Sequence, residues 1–181
     1  HSRVVEYLKI DNEKNWAFIV HRLDRETSGV MIFAKNKRHK EYLQEQFANR
    51  SVHRIYHALI EGRPEKNNGI IHEWLLEDKF LRVKAVNKNH PNAKEAITYW
   101  SVEDSDEFAS LLSLTIETGR RHQIRVGLAN LGHPVVGDKQ HGAEGNPIGR
   151  IALHASSLEL LHPETDDPVR FEATIPFGPE N

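Results

Sequence analysis

The 181-residue chain contains no cysteine, a single methionine and few aromatic side chains, at 8%. Without cysteine it has no disulfide, no thiolate zinc site and no cysteine nucleophile, a composition that fits a reducing compartment. No apolar run reaches the length of a membrane span and no signal-peptide pattern is present, so a cytoplasmic protein without a membrane partner is expected. The one methionine is Met31, so His1-Ser2 reads as an artificial start or a cut made upstream of a domain. A strong net charge is missing too. The formal value of −2 argues against binding nucleic acid through bulk electrostatics. Repeats, low-complexity linkers and signs of a second domain are absent, and the length suffices for one domain with a sizeable core.

Within that near-neutral total the charge is uneven. Lys35, Lys37, Arg38, Lys40, Arg50 and Arg54 face only Glu41 and Glu45 over residues 35–54, a net of +4. Residues 119–125 add Arg120, Arg121 and Arg125 without an acid, which leaves −9 for the rest. Such a basic surface can neutralise phosphates. A solvated helix face explains the first stretch equally well.

Periodicity and punctuation outline the elements. Residues 3–15 open on the end of a helix. Trp16–Val20 and Val30–Ala34 read as buried strands, Lys37–Arg50 as an amphipathic helix with Tyr42, Leu43, Phe47 and Ala48 on its apolar face. Strands are expected over His53–Glu61, Ile70–Leu76, Phe80–Val86, Ala96–Val102, Leu111–Glu117, Arg150–Leu161 and Val169–Ile175. Arg121–Leu131 reads as a short helix stopped by Gly132, and Gly137–Gly149 as a long loop. Many strands and few helices, without a βαβ rhythm, indicate an α+β fold on a mixed, mainly antiparallel β-sheet with flanking helices.

Between the first two apolar runs lies His21-Arg22-Leu23-Asp24-Arg25-Glu26-Thr27-Ser28-Gly29. A carboxylate flanked by arginines on a loop between strands is a good place for chemistry, because strands fix a loop's geometry. A surface turn in which Asp caps backbone amides is the plainer reading. The string resembles the HRLDxxTSG signature of the RluA-type family of RNA pseudouridine synthases. Arg54-Ile55-Tyr56 resembles that family's basic-x-Tyr strand, and Thr118–Arg125 its TGRxHQIR motif. Gly132-His133-Pro134, Gly137-Asp138, Leu153-His154-Ala155 and His162-Pro163 follow in the family's order. The family's fold, a mainly antiparallel sheet with flanking helices, agrees with the reading above.

The resemblance implies an isomerase that converts uridines of structured RNA, ribosomal or transfer, to pseudouridine, with no cofactor and no metal. It implies a monomer with a single catalytic domain over residues 3–181. That domain lacks the Lys-Pro-x-Gly-like strand segment that usually precedes HRLD in the family. Asp24 takes the place of the catalytic carboxylate, with attack on sugar or base left open. Arg125 takes that of its cationic partner, and Tyr56 that of the ring that stacks on the uracil. Arg22 matches the arginine that fills the helix vacated by the flipped base, and Leu153 a wall of the uracil pocket. Arg54, Arg120, His122 and Gln123 are the further substrate-binding candidates. Each has a plainer alternative: a snorkelling arginine, strand packing for Tyr56, core for Leu153.

Twelve histidines raise the question of a metal, but His53 and His57 make a poor chelate and no HExxH arrangement exists. Gly137–Gly142 has Walker-like glycine spacing without the following Lys-Ser/Thr. Gly127, His141 and Arg121 depart from the family pattern, which often has His, Tyr and a smaller residue there. Two other functions compete with the isomerase. One is a non-catalytic RNA-binding module of the same fold. The other is a glycosidase that uses Glu26 as a second carboxylate.

Overall fold

The computed structural model describes residues 1–179, so the last two residues of the expected domain lie outside it. Helix α1 spans Ser2–Asp11, in place of the mere helix end that the sequence suggests. Two short strands follow, β1 (Phe18–Ile19) and β3 (Phe33–Ala34), which pair with each other antiparallel in a sheet of their own. The expectation of two buried strands here is corrected. Only two residues of each run are extended, and Trp16 and Ile19 are about half exposed, at 47% and 49%.

A second sheet holds the molecule together. Its strand order is β10 (Pro168–Glu172), β9 (Leu153–Leu161), β4 (His53–Glu61), β8 (Ala109–Ile116), β7 (Lys94–Ser105), β5 (Asn68–Glu77), β6 (Val83–Ala85). Every neighbouring pair on that path is antiparallel. The expected strand at 80–86 keeps only its last part. Phe80 and Leu81 stand exposed in a turn bracketed by Asp78, whose carboxylate accepts from the amides of Phe80 and Arg82.

Alternation along β4 and β8 builds the core. Tyr56, Ala58 and Ile60 face Leu112, Leu114 and Ile116, and Ile124 and Leu128 of helix α3 (Gln123–Asn130) cover them. Gly127 lets α3 lie close to β5: a Cβ there would meet Ile71 Cγ2 at 3.0 Å. That departure from the family pattern is therefore a packing position. Helix α2 (Lys37–Ala48) starts at Asn36, whose side chain accepts from His39 N at 2.8 Å. It seats Leu43 with Val20, Leu158 and Leu160 in a second cluster. Gln46 is buried beside Leu43, bonded to the main chain of Leu161 through both ends of its amide, while Ala48 is exposed.

Two irregularities bring loops to the centre of this sheet. In β9 the pairing slips so that Ser157 faces Ile55 and Ala155 faces Tyr56, leaving Ser156 as the extra residue of a bulge. Its hydroxyl bonds both the Ile55 carbonyl and His57 Nδ1, on the face opposite Tyr56. On its other edge β9 accepts β2 (Ser28–Gly29), the only parallel pairing among the named strands. Gly29 has φ +115°, and a Cβ would lie 2.1 Å from the Ala155 carbonyl oxygen. Only glycine fits.

Gly29→Ala should accordingly lower the unfolding free energy by about 2–4 kcal/mol, from strain and overpacking together. Urea titration measures it. A midpoint unchanged from wild type would show that the parallel pairing is not tight.

Candidate active site

Asp24 sits in the loop between β1 and β2. The loop turns there, with Thr27 N donating to the Asp24 carbonyl at 3.0 Å. The tie of Gly29 to β9 fixes the loop's far end. Asp24 Oδ2 lies 3.7 Å from Arg125 Nη1, with the two side chains 19% and 5% exposed. That distance is an ion pair and not a hydrogen bond.

The nearer partner of Arg125 is Asp138, which is fully buried at 0%. Its two carboxylate oxygens accept from Nε at 2.7 Å and Nη2 at 2.8 Å, a bidentate pair, and Gln140 Oε1 accepts from Nη2 at 3.3 Å. One edge of the guanidinium is thus held by Asp138, and the remaining nitrogen faces Asp24. Burial pulls the Arg125 pKa down, but the hydrogen bonds and charge of Asp138, with Asp24 beyond, outweigh it and raise it above its ordinary value. The sequence reading assigned Asp138 no role. The signal was an Asp beside a required glycine: at Gly137, φ +82°, a Cβ would lie 2.2 Å from the Arg150 carbonyl oxygen.

Tyr56 and Leu153 are buried and line the same cleft as Asp24, a space of about 460 Å³ whose rim includes Arg22, Arg50, Arg54 and Arg120. A second groove of about 740 Å³ meets it at Arg22, Asp24, Gly119 and Arg120, and continues past Arg121 to Lys94. Burial raises the Tyr56 phenol pKa, Arg54 opposes the rise and Asp24 adds to it, so the hydroxyl is protonated near neutrality. Arg22 is exposed on the lip shared by both grooves. Of the six cations in the basic stretch, only Arg50 and Arg54 reach the cleft. Lys37 lies at the opposite end of α2, roughly 15 Å away by the helical rise.

Of the remaining candidates, Arg120 and Gln123 line the same cleft and His122 does not. Gln123 is a bracket: it accepts from Thr118 Oγ1 and Arg120 N and donates to the Ile97 carbonyl and Thr98 Oγ1, which leaves it no donor or acceptor to spare. His122, in a left-handed conformation with φ 53°, hydrogen-bonds His141 Nε2 through Nδ1 at 3.1 Å and lines neither groove. Burial, then Arg125, lowers its pKa. Arg120 donates from Nε to the Glu95 carbonyl at 3.0 Å and keeps the rest of its guanidinium at the rim. Glu26 is exposed and lines neither groove. Among the described residues no group of three His, Cys, Asp or Glu is placed to hold a metal ion.

His21, which sequence reasoning passed over, walls the cleft by stacking on Phe47, ring centroids 4.9 Å apart. Its Nε2 accepts from Ile32 N at 3.1 Å, so a neutral ring carries its proton on Nδ1. Burial, with Arg54 adding, lowers its pKa from 6.5 to about 4.

A carboxylate beside a buried arginine, in a pocket walled by an aromatic ring and a leucine and rimmed by cations, suits an anionic substrate with a flat apolar part. Comparison with known proteins points the same way. The family model described as RNA pseudouridylate synthase matches residues 1–130. An uncharacterized RNA pseudouridine synthase of Zymomonas mobilis is 41% identical over 169 residues, 90% of this chain and 75% of that protein. The uncharacterized RNA pseudouridine synthase YhcT of Bacillus subtilis is 37% identical over 90% of this chain, which spans about half of its length, 54%. Ribosomal large subunit pseudouridine synthase C of Buchnera aphidicola is 33% identical, with 95% of this chain covered and 58% of that protein. The solved structure of human RNA pseudouridylate synthase domain containing 1 superposes with a TM-score of 0.81 at 26% identity, over 96% of this chain and 74% of that one.

Two stability measurements follow from the geometry. Asp138→Asn leaves a buried arginine without its counter-charge and should lower the unfolding free energy by about 3–5 kcal/mol, whereas Asp24→Asn should change it by less than about 1 kcal/mol. Equal losses would contradict the division of Arg125 between the two. Separately, the folded state disfavours protonated His21. Its contribution is complete above pH 6.5 and is lost as pH falls towards 4. In urea titrations at pH 7 and pH 5, His21→Gln should lose less stability on acidification than wild type. An equal loss would remove His21 from the acid sensitivity.

Proposed function

The chain belongs to the RluA-type family of RNA pseudouridine synthases, and from that premise we propose that it isomerises uridines in structured RNA to pseudouridine, with Asp24 as the catalytic carboxylate. The observation that carries this is the convergence of Asp24, Tyr56 and Leu153 on one cleft with a cationic rim, with the buried Arg125 set against Asp24. The relative named for the ribosomal large subunit favours ribosomal RNA as the substrate. The protein works as a cytoplasmic monomer without a cofactor.

The reaction breaks the bond from the sugar to N1 of uracil, turns the base and joins the sugar to C5, which gives up its proton while N1 gains one. Atoms balance without an oxidant or a metal. A target base turned out of its helix stacks on Tyr56 with Leu153 at its other face, and Arg22 occupies the space left behind. Asp24, faced by the Arg125 nitrogen that Asp138 leaves free, attacks the sugar or the base, or stabilises the electron-poor sugar. The protonated Tyr56 hydroxyl makes no hydrogen bond with a described residue, so it is free to donate to the bound uracil. Gln123 and His122 serve the site by holding the start of α3.

The RNA-binding module is the second reading, and the buried Arg125–Asp138 pair aimed at Asp24 counts against it, since binding alone needs no positioned carboxylate. The exposed Glu26 removes the support for a glycosidase.

Mapping pseudouridine in total RNA with and without the gene identifies the target. On that RNA, tritium release from 5-tritiated uridine should vanish with Asp24→Asn while RNA affinity and fold persist. Turnover by the Asn variant near the wild-type rate would remove Asp24 from the mechanism, and retained pseudouridine at every site without the gene would remove the function.

A further inference from the structure

One half-buried cation in the cleft has no hydrogen-bond or ion-pair partner among the described residues. The Arg54 guanidinium makes no hydrogen bond and no ion pair with any described residue, and its Nε is buried with nothing to bond. The guanidinium lies over the face of Phe47, its carbon 5.5 Å from the ring centroid, and close to Gly119, where a Cβ would stand 3.0 Å from Nη1. His21, which also stacks on Phe47, is neutral near pH 7 and offers no counter-charge. Other polar groups around it are met: Arg125 by Asp138, Gln123 by Thr118 and Thr98, His21 by Ile32. A partly buried cation left without an acceptor costs folding free energy unless a ligand supplies one.

We propose that Arg54 binds a backbone phosphate of the nucleotide whose uracil lies on Tyr56, an inference that rests on the function proposed above. Arg54 and Tyr56 are two apart on β4, so their side chains leave the same face about 6.6 Å apart at the strand rise. That is the order of separation between a nucleobase and its own phosphate. A guanidinium matches a phosphate with two parallel donors, which a neutral uracil carbonyl would use poorly. The bare glycine at position 119 keeps the TGR segment out of the space that Nη1 occupies, giving that motif glycine a reason in the site.

The test uses three probes on the purified chain: uridine, uridine 5′-monophosphate and uridine 3′-monophosphate, titrated by NMR at fixed ionic strength. Wild type should bind one of the monophosphates about tenfold tighter than uridine, the worth of a charge-assisted hydrogen bond. Arg54→Gln should bring that ratio to about one with uridine affinity in place, and should leave the unliganded protein at least as stable as wild type, because it removes an uncompensated charge. Gly119→Ala, which shifts Nη1 without touching its charge, should give an intermediate ratio. A wild-type ratio near one overturns the assignment, as does a ratio retained by Arg54→Gln or uridine affinity lost together with that of the nucleotide. Pseudouridine mapping is independent of this result. A chain that modifies RNA but shows no phosphate preference loses only the Arg54 assignment; one with the preference but no modified uridine loses only the function.

Discussion

The site depends on a buried ion pair whose second member never faces the cleft. Asp138 takes two of the three nitrogens of Arg125 and is itself wholly enclosed, so the guanidinium plane cannot swing. A buried pair of this kind adds little net stability, since desolvating both charges offsets most of their attraction. What it adds is direction: one remaining nitrogen, fixed opposite Asp24 at 3.7 Å. The pair in turn relies on backbone that few sequences can adopt, with Gly137 pressed on the Arg150 carbonyl and Arg125 carried by a helix that lies close to β5 only because residue 127 has no side chain.

A similar logic holds on the other side of Asp24. Its loop has no long strand to anchor it. It is fixed instead by two residues, Ser28 and Gly29, laid parallel against β9 beside the bulge that sets Tyr56 opposite Ala155. Loop, bulge and ion pair each bring one functional group to the same point from a different element. This is why chemistry can rest on a short irregular segment.

Long elements with a clear period were legible in the sequence. His53–Glu61 is a strand over the range expected, and the two later helices lie within theirs. Trp16–Val20 and Val30–Ala34 misled because apolar content was taken for burial, while most of each run only covers the sheet's second cluster or faces solvent. Asp24, Tyr56 and Leu153 line one cleft, and Arg125 lies against Asp24. The motifs did not distinguish a side chain that faces the cleft from one that holds the backbone. Gln123 lines the cleft beside Arg120, yet its amide is wholly taken up by Thr118, Arg120, Ile97 and Thr98, and His122 turns to His141. Asp138 was hidden for the opposite reason. A charged residue next to glycine reads as a turn, and only the fold shows what it faces. The +4 stretch is contiguous in sequence and divided in space by the length of a helix.

The central claim is that Asp138 acts on catalysis through the orientation of Arg125. A double-mutant cycle on the single-turnover rate of pseudouridine formation, with Asp138→Asn and Arg125→Lys and rates normalised to folded protein, tests it directly. Lysine has no planar fork for Asp138 to hold, so the account predicts that the double variant is no slower than Arg125→Lys alone. Rate losses that multiply would show the two residues acting independently and would contradict it.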